Sequence, residues 1–148
     1  MSFRPGGGRG TEKLGLQVVI VDDNYNTVRL ATYLFAEAGW TAIGFSSPHK
    51  ALQRLSDLSP DIIITDFRMP EMNGPDFLLE AQEIHPTAAK LVMTSFDEGD
   101  DVQEFLRRAG VPVISKTKGL VEVIEEAKKE VAKRIPLKSA SASASKLA

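Results

Sequence analysis

Ile62, Ile63 and Ile64 stand in direct succession, with Pro60 and Asp61 before them and Asp66 shortly after. A half-exposed strand alternates apolar with polar residues. An unbroken β-branched run bounded by turn residues instead marks a strand covered on both faces, as in a parallel sheet. Parallel strands need long crossover connections, usually helices, and that demand fixes what the rest of the chain must supply. Asp66 falls at the carboxyl end of this strand. In an open α/β sheet the loops converge at that end and ligands bind there, so the carboxylate is placed for chemistry rather than packing. Pro70 stiffens the loop that follows, and Asn73 and Gly74 supply a turn before the next helix.

The remaining segments meet that demand. Gln17–Val21 is a β-branched run ending in Asp22 and Asp23. A helical pattern follows from Asn24 or Tyr25, with Val28, Ala31, Leu34, Phe35 and Ala38 at inward spacing and Gly39 as its cap. Trp40–Phe45 reads as a second strand. Ser46 or Ser47 caps the next helix, Pro48 sits in its first turn, and Ala51, Leu52 and Leu55 face inward. After the isoleucine strand, a helix from about 75 to 84 turns Phe77, Leu78, Ala81 and Ile84 inward before Pro86 closes it. Ala89–Thr94 is the fourth strand. Asp97, Glu98, Asp100 and Asp101 open the fourth helix, where negative charge meets the positive end of the helix dipole, and Val102, Phe105, Leu106 and Ala109 form its buried stripe. Val111–Ser115 is the fifth strand, with Lys116 just beyond it, and a last helix from about 120 to 134 buries Leu120, Val123, Ile124, Ala127 and Val131. The predicted fold is α/β: a doubly wound five-stranded parallel sheet flanked by five helices, in three layers.

A chain of 148 residues fits one domain. Residues 1–15, rich in glycine and charge, read as a flexible arm, 16–135 as the folded domain, and 136–148, ending SASASASKLA, as a disordered linker or an appended vector tail. A net charge of −2 argues against direct nucleic-acid binding and against attraction to an anionic membrane. The absence of cysteine excludes disulfides and thiol catalysis and agrees with a reducing compartment. With no apolar run near the roughly 20 residues that span a bilayer and no secretory pattern at the N-terminus, the expected location is cytoplasmic. His49 and His85 read as surface residues.

Laid in order, the strand ends gather Asp22, Asp23, Asp66, Thr94 and Lys116. Three acids crowded together repel one another, but their oxygens suit a hard cation such as Mg²⁺. Lys116 adds a point charge and Thr94 a hydroxyl donor, so the pocket suits a phosphoryl group.

These residues carry a family likeness. With VVIVDDN, DIIITDFRMPEMNG, LVMTS and VISKT in this order on successive strand ends, the chain resembles the receiver domain of two-component response regulators over roughly residues 16–134. The resemblance implies a flavodoxin-like sheet and phosphorylation of Asp66 by a histidine kinase or phosphotransfer protein. It also implies Mg²⁺ held by Asp22, Asp23, Asp66 and the Arg68 carbonyl, with Thr94 and Lys116 on the phosphoryl oxygens. A downstream effector protein or domain then reads the altered surface of the fourth helix, fifth strand and fifth helix. A homodimer through the fourth and fifth helices stays open, and no turnover enzyme activity is implied.

Two positions depart from the family pattern. Lys116 is followed by Thr117 rather than proline, which predicts a trans peptide or a reshaped loop, since a cis bond before a non-proline costs about 2.5 to 4 kcal/mol. Val113 stands three residues before the lysine where an aromatic is common, so Phe96 or the loop itself is expected to take over its movement. Arg68 and Phe96 are expected to flank the path of an attacking water and to set the phosphoryl lifetime. Two alternatives remain: a pseudo-receiver that binds partners unphosphorylated, and a phosphatase of the haloacid dehalogenase type, whose nucleophile would lie at the end of the first strand.

Overall fold

The computed structural model describes residues 15–95 and 100–147, with the side chains of 15–95, 104 and 106–134. Five strands, β1 (Gln17–Val21), β2 (Thr41–Phe45), β3 (Ile62–Asp66), β4 (Ala89–Thr94) and β5 (Val113–Ser115), form one parallel sheet in the order β2-β1-β3-β4-β5. Five helices alternate with them: α1 (Tyr25–Glu37), α2 (Pro48–Leu55), α3 (Gly74–Ile84), α4 (Asp100–Ala109) and α5 (Leu120–Leu147). The doubly wound, three-layer architecture is the one the sequence predicts.

Strand alternation divides the core in two. Val18, Ile20, Ile62 and Ile64 point to the face covered by α1 and α5, where they meet Phe35, Val123 and Ala127. Val19, Val21 and Ile63 point to the opposite face, against Ala51 and Leu55 of α2, Phe77 of α3 and Leu106 of α4. The isoleucines of β3 are fully buried because both faces are covered.

The helix starts follow their sequence signals. Asn24, Ser47 and Asn73 each accept a backbone N–H three residues on, capping α1, α2 and α3, with proline in the first turn of the latter two. β5 begins at Val113 rather than Val111 because Pro112 has no N–H to give the ladder; its carbonyl still accepts from Val92. Gly44 lets β2 lie under α1, since a Cβ there would stand 2.4 Å from Val28 Cγ1. The last helix does not stop at Arg134 as the sequence reading has it: the backbone stays helical to Leu147. Pro136 costs the helix one N–H, but the segment beyond it holds no glycine and repeats alanine, the strongest helix former.

Among the described side chains three inward assignments fail, and those of Val102 and Phe105 lie outside the description. Ala38, Ile84 and Ala109 are exposed, each in or just beyond the last turn of its helix. His85 is half-buried rather than on the surface. It caps α3, and its Nε2–H donates to the Leu55 carbonyl at 2.6 Å, tying the ends of α2 and α3 together. Residues 1–14 of the expected arm, together with Phe96, Asp97 and Glu98, lie outside the described residues.

Candidate functional site

The carboxyl ends of β1 and β3 lie side by side in the centre of the sheet, where Val21 pairs with Thr65. Each strand therefore delivers the residue that follows to the same spot. Asp22 is fully buried and Asp66 nearly so, whereas Asp23 is exposed. One carboxylate oxygen from each of these three falls within 4.8 Å of the others. Lys116, just beyond β5, is half-buried, and its Nζ reaches Asp22 Oδ2 at 2.7 Å and Asp66 Oδ1 at 3.2 Å.

Backbone donors hold the acids in place. Asp22 Oδ1 accepts the Asn24 N–H at 2.9 Å, and Asp66 Oδ1 accepts the Phe67 N–H at 2.9 Å. Thr65 Oγ1, buried in β3, donates to the Asp66 carbonyl at 2.9 Å. Burial and the neighbouring Asp22 charge push the Asp66 carboxyl up to about 6, against the pull of Lys116 and the Phe67 N–H. For Lys116 burial works against the charged form, but the two carboxylates outweigh it and the ammonium is held above its ordinary range.

The acids fit a divalent cation. Asp22 Oδ2 is buried, and its cationic partner among the described residues is the Lys116 ammonium at 2.7 Å. Carboxylate oxygens are the ligands hard cations take. Among the described residues this is the one such cluster of three acidic side chains.

Thr94 is buried at the last position of β4, one residue beyond Met93, which pairs with Asp66. It lies in register with Ser115 of β5. The Arg68 guanidinium lies over the Phe67 ring, 5.7 Å from its centroid, in the loop that leaves Asp66. No peptide bond among the described residues is cis, so Lys116–Thr117 is trans, and the loop is reshaped into a 3-10 turn over Lys116–Lys118. Gly74, which the sequence places only in a turn, packs against the backbone of Asp66. A glycine after an Asn in a turn is the sequence signal for it, but the close approach arises only when α3 folds back onto β3.

The parallel α/β sheet thus collects three aspartates and a lysine at its carboxyl edge. The chain belongs to the response regulator receiver domain family, whose model matches residues 18–128. It is 30% identical over 104 residues to the chemotaxis protein CheY of Thermotoga maritima, covering 70% of this chain and 87% of that one. It is also 30% identical over 107 residues to the regulatory protein AtoC of Escherichia coli K12, covering 72% of this chain but only 23% of that longer protein. A CheY-like receiver domain protein from Methanospirillum hungatei has the same fold, with a TM-score of 0.75 at 18% identity, covering 82% of this chain and 98% of that one. Among the described residues no helix is long and apolar enough to cross a membrane.

Proposed function

We propose that this receiver domain accepts a phosphoryl group on Asp66 from a histidine kinase or a phosphotransfer protein and passes the signal on through a protein-binding surface. The observation that carries this reading is the single ammonium of Lys116 set against Asp22 and Asp66 beside the exposed Asp23.

Asp66 Oδ1 is engaged by Lys116 and the Phe67 N–H, which leaves Oδ2 to attack. The attack forms an oxygen–phosphorus bond as the phosphorus–nitrogen bond of a phosphohistidine breaks in line, and the electron pair left on the imidazole nitrogen takes up a proton. Asp22, Asp23, Asp66 and the Arg68 carbonyl are the residues that would hold Mg²⁺, which when bound neutralises charge on the transferred oxygens. Lys116 then pairs with a phosphoryl oxygen in place of its aspartate partners, and the Thr94 hydroxyl is drawn toward another. Moving Thr94 biases the loop before α4 and, with it, the surface of α4, β5 and α5, a shift between two packings that an effector reads.

On this reading the protein is a cytoplasmic signalling module rather than a turnover enzyme, with 16–135 as its working unit. Asp66 ends the third strand rather than the first, which counts against the phosphatase alternative. Titration with beryllofluoride in the presence of Mg²⁺ tests the proposal. Binding that shifts the amide resonances of Asp66, Thr94 and Lys116, and that Asp66→Asn abolishes, is the expected result. Absence of binding would leave a pseudo-receiver that recognises partners unphosphorylated.

A further inference from the structure

The loop that presents Lys116 is held by hydroxyl groups. Ser115 Oγ accepts the Thr117 N–H at 3.1 Å and lies 2.7 Å from Thr117 Oγ1, so one side chain caps the 3-10 turn through both the backbone and the side chain of Thr117. The far end is closed by the Gly119 N–H, which donates to the Lys116 carbonyl at 3.0 Å, with Gly119 at φ +93°. Lys116 is the residue enclosed between these bonds. Ser115 itself is anchored as the last rung of the sheet, paired with Thr94. A lysine side chain is a flexible four-carbon stem, and reaching two carboxylates at once demands that its origin be fixed.

We propose that Ser115 and Thr117 are positioning residues of the phosphoryl site: their paired hydroxyls hold the turn that delivers the Lys116 ammonium to Asp22 and Asp66. A proline after the lysine would restrain the turn by fixing its own φ, but it would have no N–H for Ser115 to accept. Here the N–H is present and used, and the hydroxyl of the same residue doubles the contact. Neither side chain touches a reacting atom, so the effect passes wholly through Lys116. The inference rests on the phosphoacceptor reading above.

The bond is exposed, and the net worth of such a bond corresponds to a change of roughly 2- to 12-fold in a rate or affinity. The test uses the full chain as wild type and as Ser115→Ala, Thr117→Val, the double variant and Thr117→Ser. Four quantities are measured: Asp66 labelling by acetyl phosphate with Mg²⁺, beryllofluoride affinity, Mg²⁺ affinity, and the nitrogen-15 resonance of the Lys116 ammonium. Ser115→Ala and Thr117→Val are each expected to slow labelling and weaken beryllofluoride binding roughly 2- to 12-fold. They should also move the ammonium resonance while leaving Mg²⁺ affinity unchanged. The double variant should be no worse than the poorer single one, because the two hydroxyls act as one pair, and Thr117→Ser should restore the wild-type values.

Wild-type labelling rates with an unmoved ammonium resonance in the single variants would overturn the inference. So would additive losses, a Thr117→Ser variant that behaves like Thr117→Val, or a loss of Mg²⁺ affinity in step with labelling. If the wild-type chain takes neither phosphoryl group nor beryllofluoride, it is the phosphoacceptor reading that fails. The ammonium resonance of the metal-free variants then still reports whether the hydroxyl pair places Lys116.

Discussion

Gly74 and Asp66 are packed backbone to backbone. A Cβ on Gly74 would stand 2.3 Å from the Asp66 carbonyl oxygen, and the Gly74 N–H donates to the Phe67 carbonyl at 2.8 Å. The first residue of α3 is thus bound to the carbonyl of the residue that follows the phosphoacceptor candidate. Rotating a side chain cannot relieve such a contact, because the atom in the way belongs to the main chain.

Gly74→Ala must therefore push β3 and α3 apart at the site itself. Overpacking of this kind costs typically 1 to 3 kcal/mol, and urea unfolding should show a loss in that range together with slower Asp66 labelling. Gly110→Ala is the matched control. Gly110 has φ +73° and nothing within 4 Å of its would-be Cβ, so the penalty there is conformational only, about 1 to 2 kcal/mol. Labelling should be unchanged in that variant. Equal labelling by both variants would mean that the Gly74 contact does not position Asp66.

The raised Asp66 ionisation makes stability depend on pH in a defined direction. A carboxyl whose folded value lies above its unfolded one stabilises the fold when protonated; that contribution is complete below 3.8 and is lost as pH rises through about 6. Asp66→Asn removes the ionisable group, so without metal the variant should be more stable than wild type at pH 7.5, by at most on the order of 3 kcal/mol. The gap should close as pH falls to about 4. Denaturant titrations at the two pH values measure it, and a variant less stable than wild type at pH 7.5 contradicts the electrostatic account. Saturating Mg²⁺ stabilises the wild type by binding its folded state and should narrow the gap.

Much of this was readable from residue order, for a physical reason. Helices on both sides of a parallel sheet force its strands to be continuously apolar, so Gln17–Val21 and Ile62–Ile64 announce themselves, and so do the polar residues where the runs break. The strand ends converge, and the sheet brings Asp22, Asp23 and Asp66 together with Lys116. Periodicity, by contrast, says which face of a helix is apolar but not how far along the helix the contact lasts. Ala38, Ile84 and Ala109 share the phase of the core, yet lie at the ends of their helices and are exposed. Contacts between loops carry no sequence period at all. Ser47 Oγ donating to Glu71 at 2.8 Å, the Ser115–Thr117 pair and the His85 ring on Leu55 are visible only once the fold has placed them.

Trp40 offers a test of the core that separates packing from hydrogen bonding. The chain's one tryptophan is 1% exposed and meets Phe35 edge to face, with ring centroids 5.2 Å apart, while its buried Nε1–H has no hydrogen-bond partner among the described residues. Trp40→Phe removes a donor that makes no bond among the described residues, so it should cost much less than Trp40→Ala, for which about 3 to 5 kcal/mol is expected from the cavity. Chemical denaturation followed by far-ultraviolet circular dichroism compares the two. Equal losses would mean that the indole nitrogen is bonded in solution.

Lys116 and a bound cation should be partly interchangeable for stability but not for the proposed function. Lys116→Met keeps most of the aliphatic stem and removes the charge that faces the fully buried Asp22 and the nearly buried Asp66. Breaking a buried pair from one side is strongly destabilising, about 3 to 5 kcal/mol when both partners are deeply buried; the Lys116 side chain is 22% exposed, which places the expected loss at roughly 2 kcal/mol without metal. The Asp66 carboxyl should at the same time rise above its wild-type value of about 6, because one of the two influences that lower it is gone. Mg²⁺ places positive charge among the same carboxylates, so adding it should recover a larger share of stability in Lys116→Met than it adds to wild type, as thermal melts with and without chelator would record. Beryllofluoride should still bind more weakly in the variant at saturating Mg²⁺, since the phosphoryl oxygen that Lys116 is assigned has no substitute partner. Full recovery of both properties by Mg²⁺ would reduce Lys116 to a charge balancer and remove it from the phosphoryl site.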